Sequence, residues 1–128
     1  MRARSSVLVI AITLPLVSGC EKSPRDRLQG RWLGEAIENM PAAQVGKATG
    51  WVQGTALEFS GNRVTVTIPA ESPRSGTFKI AKVEGDRITV SFQRDEGGRD
   101  EAELRFAPDH TLRWNIGSGE VVLARARN

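Results

Sequence analysis

Hydrophobic and polar side chains alternate along most of the chain after Arg31, with a period of two residues. The clearest runs are residues 63–68, 87–92, 101–106 and 111–116. In each run, every second side chain is apolar, and the intervening ones are Arg, Thr, Glu, Ser or Asn. Successive side chains of a β-strand point to opposite faces, so this pattern predicts strands with one buried and one solvated face.

Four further segments complete a predicted set of eight strands: residues 31–37, 55–59, 77–83 and 120–126. The alternation within 77–83 changes phase at Ala81-Lys82, which predicts a β-bulge. The segment 120–126 is too apolar at its centre for its two faces to be assigned. No segment shows the period of a helix of useful length.

Turn-forming residues separate the predicted strands. Ser60-Gly61-Asn62, Glu84-Gly85-Asp86 and Gly117-Ser118-Gly119 supply the positive φ angles of tight hairpins, and Ala107-Pro108-Asp109-His110 fits a type I turn. Short connections join antiparallel neighbours, so we predict an all-β fold, an up-and-down meander of about eight strands. Closure into a small barrel would leave no exposed sheet edge, and an open sheet or a sandwich is the alternative.

The first twenty residues have the features of an export signal. Arg2 and Arg4 precede the largely apolar run Val7–Val17, which is followed by Ser18-Gly19-Cys20. A spanning helix needs about 20 apolar residues, whereas this shorter run matches the apolar region of a secretory signal. Leu16–Cys20, with an aliphatic residue and two small residues close before a cysteine, resembles the lipobox of bacterial lipoproteins.

The lipobox resemblance implies a signal peptide over residues 1–19, with cleavage between Gly19 and Cys20. The thiol of Cys20 would carry a diacylglyceryl group and its new amine a further acyl chain such as palmitate, which together give stable membrane anchoring. The expected location is the bacterial cell envelope, membrane-anchored and facing the periplasm. The choice between inner and outer membrane stays open, because Glu21 favours the outer membrane and Lys22-Ser23 resembles an inner-membrane retention signal. An ordinary secretory signal with a chance cysteine is the alternative.

Residues 20–30 form a short tether ahead of the barrel domain, residues 31–128. Ser23-Pro24 begins, and Gly30 ends, one or two helical turns. These turns, followed by Gly30-Arg31-Trp32, resemble the opening of lipocalin-like barrels. The resemblance implies that Trp32 packs beneath the barrel floor against an arginine near the end of the last strand, Arg125 or Arg127. The rest of the chain matches that family only in its pattern of strands.

The longest predicted loop joins the first two strands, from Glu38 to Val52. In lipocalin-like barrels this loop overhangs the open mouth, so Met40, Val45 and Trp51 are candidate residues of a ligand mouth. The predicted inward side chains are large, however, and short eight-stranded barrels can be filled by side chains alone. We therefore predict a filled interior, with a narrow hydrophobic pocket as the alternative.

Groups that carry chemistry are few. One His and one Cys exclude a multi-His metal site and a cysteine-rich zinc site. His110 lies beside Asp109 in a predicted turn, and no serine has the Gly-x-Ser-x-Gly surroundings of a nucleophile. Acidic residues cluster within 94–101, but Arg94 and Arg99 interrupt the oxygen-ligand spacing of a calcium loop. We predict no catalytic residue, no metal and no cofactor, and hence a protein that is not an enzyme.

Charge and composition are those of an ordinary folded domain. The 128 residues are 39% hydrophobic and 26% charged, with 18 basic residues against 15 acidic ones. Arg2 and Arg4 leave with the signal peptide, so 16 basic residues remain, dispersed among the acids, and we expect no nucleic-acid partner. The predicted function is that of a lipid-anchored envelope lipoprotein, with a non-enzymatic barrel as a binding or interaction module for an envelope protein. The alternative is a carrier or sensor of a small hydrophobic ligand in the barrel mouth.

Overall fold

The computed structural model describes residues 22–127, which form a closed antiparallel barrel of eight strands in chain order. The strands are β1 (Gly30–Glu38), β2 (Ala56–Ser60), β3 (Arg63–Thr67), β4 (Arg74–Glu84), β5 (Arg87–Arg94), β6 (Arg99–Phe106), β7 (Leu112–Asn115) and β8 (Glu120–Arg125). Each strand pairs with its neighbours in the chain, and β1 closes the barrel against β8. The predicted all-β meander and its closure are confirmed. The predicted signal peptide, with Gly19 and Cys20, lies outside the described residues.

The sheet has two irregularities. The register of β4 against β5 shifts between Ile80 and Lys82, which confirms the predicted bulge. A second shift, between Gly34 and Ala36 in the pairing of β1 with β8, has no signal in the alternation pattern.

Two short helices mark the two ends of the barrel. Helix α1 (Pro24–Leu28) precedes β1, and helix α2 (Ala42–Val52) joins β1 to β2. Because the barrel is a meander, α1 shares its end with the β2–β3, β4–β5 and β6–β7 turns. We call this the α1 end. The opposite end, with α2 and the β3–β4, β5–β6 and β7–β8 connections, is the α2 end.

Local sequence explains α1. The Ser23 hydroxyl accepts a hydrogen bond from the backbone N–H of Asp26 at 3.2 Å, and Pro24 occupies the first helical turn, where its missing N–H costs nothing. Leu28 ends the helix and is fully buried. The predicted helical turn is therefore confirmed, and its buried Leu28 docks it on the barrel.

The connection between β1 and β2 was predicted to be a loop, and this prediction is wrong, because residues 42–52 form helix α2. Gly46 and Gly50 lower its helix propensity, and Pro41 at its N-cap provides no capping side chain. Burial and a local hydrogen bond at its C-terminal end compensate for this. Val52 is fully buried, and the Thr55 hydroxyl donates to the Trp51 carbonyl oxygen at 3.0 Å.

Gly46→Ala should raise the free energy of unfolding by about 0.5–1 kcal/mol, because alanine restricts the unfolded chain and favours the helix. A Cβ at Gly46 meets no atom within 4 Å. Urea unfolding measures the change. The matched control is Gly61→Ala, which also meets open space but has φ +62° and should destabilise. A loss of stability in Gly46→Ala would contradict the helical assignment.

The core takes side chains from the predicted strands and from both helices. Among its largest fully buried apolar side chains, Ile88, Leu104 and Leu112 lie at apolar positions of the predicted alternation. The others come from α1, α2 and β8, whose faces the alternation did not assign: Leu28, Val52, Val121 and Leu123. Strand β8, whose faces the sequence left open, pairs Leu123 with Leu112 and Val121 with Trp114, which places Val121 and Leu123 inside. At the α1 end, the rings of Phe59 and Phe78 pack edge to face, 5.1 Å between centroids.

Candidate functional site

Trp32 and Arg125 meet at the α1 end. Trp32 is 3% exposed, and its indole N–H donates to the Leu28 carbonyl oxygen at 2.8 Å. The Arg125 guanidinium lies over the Trp32 ring, 4.2 Å from the ring centroid, within the range of a cation–π interaction. The two residues are paired across β1 and β8, so register places them face to face. Arg125, rather than Arg127, makes this contact.

Arg125 also ties α1 to the barrel. Its two terminal nitrogens donate to the backbone carbonyl oxygens of Gln29 and Arg27, the latter at 2.7 Å. The planar guanidinium can donate to two carbonyl oxygens and stack on an indole at the same time, and a lysine ammonium could not do both. Together with buried Leu28, these bonds close the α1 end.

A basic cleft of about 170 Å³ lies beside this closure, between α1 and the β6–β7 turn. Its charged and titratable lining residues are Lys22, Arg27, His110 and Arg125, and no acidic side chain lines it. The Arg27 guanidinium is held over the Phe106 ring, 3.9 Å from its centroid. We call this site the basic cleft.

Sequence reasoning did not find the basic cleft. It treated His110 as an isolated turn residue, because 83 positions separate it from Arg27. The turn residues Ala107 to His110, closed by a bond from the His110 N–H to the Ala107 carbonyl oxygen at 3.1 Å, meet α1 only in the closed barrel. The excess of basic residues between 22 and 31 was the one available signal.

A second cavity, of about 220 Å³, lies inside the barrel toward the α2 end. Its lining is mainly apolar, with charged side chains at the rim: Leu57, Phe59, Val64, Val66, Ile68, Arg74, Val90, Phe92, Asp100, Glu101, Ala102, Leu104 and Trp114. Ala102, an inward position opposite Val90, is small and leaves space that a longer side chain would fill. The predicted filled interior therefore holds for the α1 end and is wrong for the α2 end, where the alternative narrow hydrophobic pocket is found.

The three candidate mouth residues do not line this cavity. Trp51 comes nearest, since its ring packs on that of Trp114 with 6.4 Å between centroids, and Trp114 is a lining residue. Met40 lines a groove on the outer surface of α2. Val45 lies half-buried within α2, where its carbonyl oxygen accepts a bond from the Thr49 hydroxyl at 2.8 Å. Helix formation in this connection moves these side chains away from the positions expected of a loop.

Two of the three charged residues at the cavity rim, Arg74 and Asp100, form ion pairs. Arg74 lies 3.9 Å from Glu71, and the Arg94 Nε lies 3.2 Å from an Asp100 carboxylate oxygen. The angle of the second contact is not that of a hydrogen bond, so the buried Arg94 Nε has no hydrogen-bond partner among residues 22–127. The apolar interior suits an uncharged or weakly polar ligand.

The remaining candidate groups form no reactive arrangement. Asp109 accepts bonds from the Thr111 hydroxyl and N–H, at 2.5 and 3.1 Å. These bonds hold the pKa of the Asp109 carboxyl below its ordinary value. Within residues 22–127, no three His, Cys, Asp or Glu side chains are grouped to hold a metal ion. Neither α1 nor α2 has the length and apolar composition needed to cross a membrane.

Comparisons of the chain with protein families, with curated proteins and with solved structures found no match. The class of protein is therefore defined by its architecture. It is a small up-and-down barrel with eight strands, consistent with a small lipocalin-like barrel, with one end closed by α1 and an apolar cavity toward the other.

Proposed function

We propose that this protein is a bacterial envelope lipoprotein, anchored through Cys20 and facing the periplasm, whose non-enzymatic barrel is a binding module. The basic start, the apolar run and the lipobox-like Leu16–Cys20 support the anchor. Helix α1 begins at Pro24, four residues after Cys20, so an anchored barrel would rest with its α1 end against the bilayer. The cavity at the opposite end is the observation that carries the proposal, since an anchored barrel would expose it on the side away from the membrane.

The anchor is tested by Cys20→Ser in the full chain expressed in a bacterium. We expect the wild-type chain to carry a diacylglyceryl mass on Cys20 and to sediment with membranes. The variant should lose both properties, since serine offers no thiol for thioether formation. Ser18→Ala, which keeps a small residue before the cysteine, serves as the control and should behave as wild type. Unchanged sedimentation of Cys20→Ser would refute lipid anchoring.

A small hydrophobic ligand is the second candidate, favoured by the apolar lining of the cavity. Its volume, about 220 Å³, exceeds the ~150 Å³ of an apolar cavity known to hold benzene. It falls below the ~300 Å³ at which pockets for drug-sized ligands begin. A ligand of this cavity is therefore small, or it inserts only one apolar segment into the barrel.

Ala102→Leu tests this candidate by filling the cavity. We expect wild-type protein to enhance the fluorescence of N-phenyl-1-naphthylamine, a small apolar probe, and the variant to abolish that enhancement. Filling the cavity should also raise the free energy of unfolding by about 0.5–2 kcal/mol. Ala43→Leu, on the exposed face of α2, is the control and should keep the probe signal. Equal fluorescence in all three proteins would place the probe outside the barrel.

A further inference from the structure

We propose that the basic cleft at the α1 end binds the phosphate of an anionic bilayer lipid, next to the lipid-anchored residue. This inference rests on the proposed lipidation of Cys20, which brings the α1 end to the membrane. It assigns to the cleft a ligand class, a glycerophospholipid headgroup with net negative charge. The lipid anchor would then supply hydrophobic attachment, and the cleft would set the orientation of the barrel on the bilayer.

Two of the cations in the cleft are already held in place. The Arg27 guanidinium stacks on Phe106 at 3.9 Å and that of Arg125 on Trp32 at 4.2 Å. Side chains fixed by stacking lose little conformational freedom when they bind an anion. Arg125 uses two of its five N–H groups for backbone carbonyl oxygens, which leaves three for a ligand.

The positive charge of the cleft is not neutralised within the described part of the chain. Lys22, Arg27 and Arg125 have no ion-pair partner among residues 22–127, whereas the rim cations at the α2 end are paired with carboxylates. Among residues 22–127, the acidic residues nearest in sequence to the lining residues, Asp26 and Asp109, do not line the cleft. Asp26 lies in α1, and Asp109 directs its carboxylate to Thr111 and Arg113. An anion in the cleft is therefore attracted by these cations and meets no opposing carboxylate from residues 22–127.

Covalent geometry places the cleft at the depth of the lipid headgroups. Lys22 lines the cleft and is two residues from Cys20, so their Cα atoms are at most about 7.6 Å apart. The headgroup region of each leaflet is about 5–7 Å thick, judged from the difference between the whole bilayer and its hydrocarbon core. A phosphate of a neighbouring lipid is therefore within reach of an anchored barrel. Anionic lipids attract basic segments near the surface, and a basic patch is a recognised second membrane signal beside an acyl chain.

Hydrogen exchange on the full, processed chain in lipid nanodiscs tests the proposal. One set of nanodiscs contains phosphatidylcholine alone, and the other contains an increasing fraction of phosphatidylglycerol. We expect amides of α1 and of the turn at 107–111 to exchange more slowly as phosphatidylglycerol increases. Addition of millimolar inorganic phosphate to phosphatidylcholine nanodiscs should leave their exchange unchanged.

Variants assign the effect to the cleft. Lys22→Gln should raise the phosphatidylglycerol fraction needed for half-maximal protection about fivefold. This factor corresponds to the attraction of one cation to an anionic surface. His110→Asn keeps a residue that tolerates the observed φ of 67° and removes the imidazole, and the double variant should shift the midpoint further. Lys47→Gln, an exposed cation on α2 at the opposite end, is the matched control and should not shift it.

Three outcomes would overturn the proposal. Absence of protection in phosphatidylglycerol shows that no headgroup binds, and equal shifts in Lys22→Gln and Lys47→Gln show only general charge attraction. Protection by inorganic phosphate assigns the cleft to a soluble anion instead. Failure of the proposed anchor is distinct, because mass spectrometry would then find Cys20 unmodified. The cleft would still be tested by adding phosphatidylglycerol vesicles to that chain.

Discussion

Trp32→Ala should lower the free energy of unfolding by about 3–5 kcal/mol, the range for removal of a buried tryptophan. Trp32 is 3% exposed, and its N–H satisfies the Leu28 carbonyl oxygen at the end of α1. Its loss would open a cavity, leave that carbonyl oxygen without its partner and remove the ring on which Arg125 stacks. A small domain is stable by about 5–15 kcal/mol in total, so the variant should approach the limit of folding.

Urea unfolding of Trp32→Ala and of two comparison variants separates these contributions. Trp32→Phe keeps much of the apolar volume and loses the hydrogen bond, so it should lie between wild type and Trp32→Ala. Trp51→Ala removes a tryptophan that is only half-buried, at the other end of the barrel, and should cost less. Equal losses in Trp32→Ala and Trp51→Ala would show that the α1 end is not the principal closure of the core.

Gly34→Ala should destabilise the protein by about 1–3 kcal/mol, as overpacking of a tight site does. A Cβ at Gly34 would overlap the backbone carbonyl oxygen of Val52 and meet a Val52 methyl at 3.1 Å. A backbone atom cannot rotate away as a side chain can, so the C-terminal end of α2 must move. The hydrogen bond from the Gly34 N–H to the Thr55 carbonyl oxygen, 2.9 Å long, lies directly in this contact.

Hydrogen exchange locates the destabilised region, and urea unfolding measures the loss in free energy of unfolding. The Thr55 N–H donates to the Val52 carbonyl oxygen at 2.9 Å. In Gly34→Ala, the amides of residues 34 and 55 should exchange faster than in wild type, since both hydrogen bonds depend on the position of the C-terminal end of α2. Gly46→Ala, in α2, makes the same chemical change in open space and should stabilise the protein instead. Destabilisation without faster exchange at these two amides would mean that the strain is released elsewhere in β1.

The strands were predictable because their signal is local. The alternating segments 87–92 and 101–106 form β5 and β6, each with one end as predicted and the other extended by two residues. Glycines at 61, 85 and 117 adopt the positive φ angles expected of the turns. A meander of short connections then leaves few topologies, and closure follows from the need to pair the outer strands.

Helix α2 and the bulge beside Gly34 were not predictable in this way. Gly46 and Gly50 weaken the local preference of the connection, and the buried Val52 that anchors it contributes only when β1 is already in place. The sequence around Gly34 contains no signal that predicts a bulge. Its lack of a side chain matters only because the end of α2 approaches it from another part of the chain.

The candidate sites also differ in whether local sequence or the assembled barrel defines them. The lipobox-like Leu16–Cys20 is contiguous, so the proposed anchor can be predicted from the sequence without knowledge of the fold. Trp32 and the arginine opposite it were anticipated from a resemblance, and strand register chose Arg125. The basic cleft joins Lys22, Arg27 and His110 across the chain, and the cavity is lined by side chains of six strands, β2 to β7. Local patterns thus determine elements and signals, whereas cavities and charge clusters arise from volumes and registers that only the assembled barrel defines.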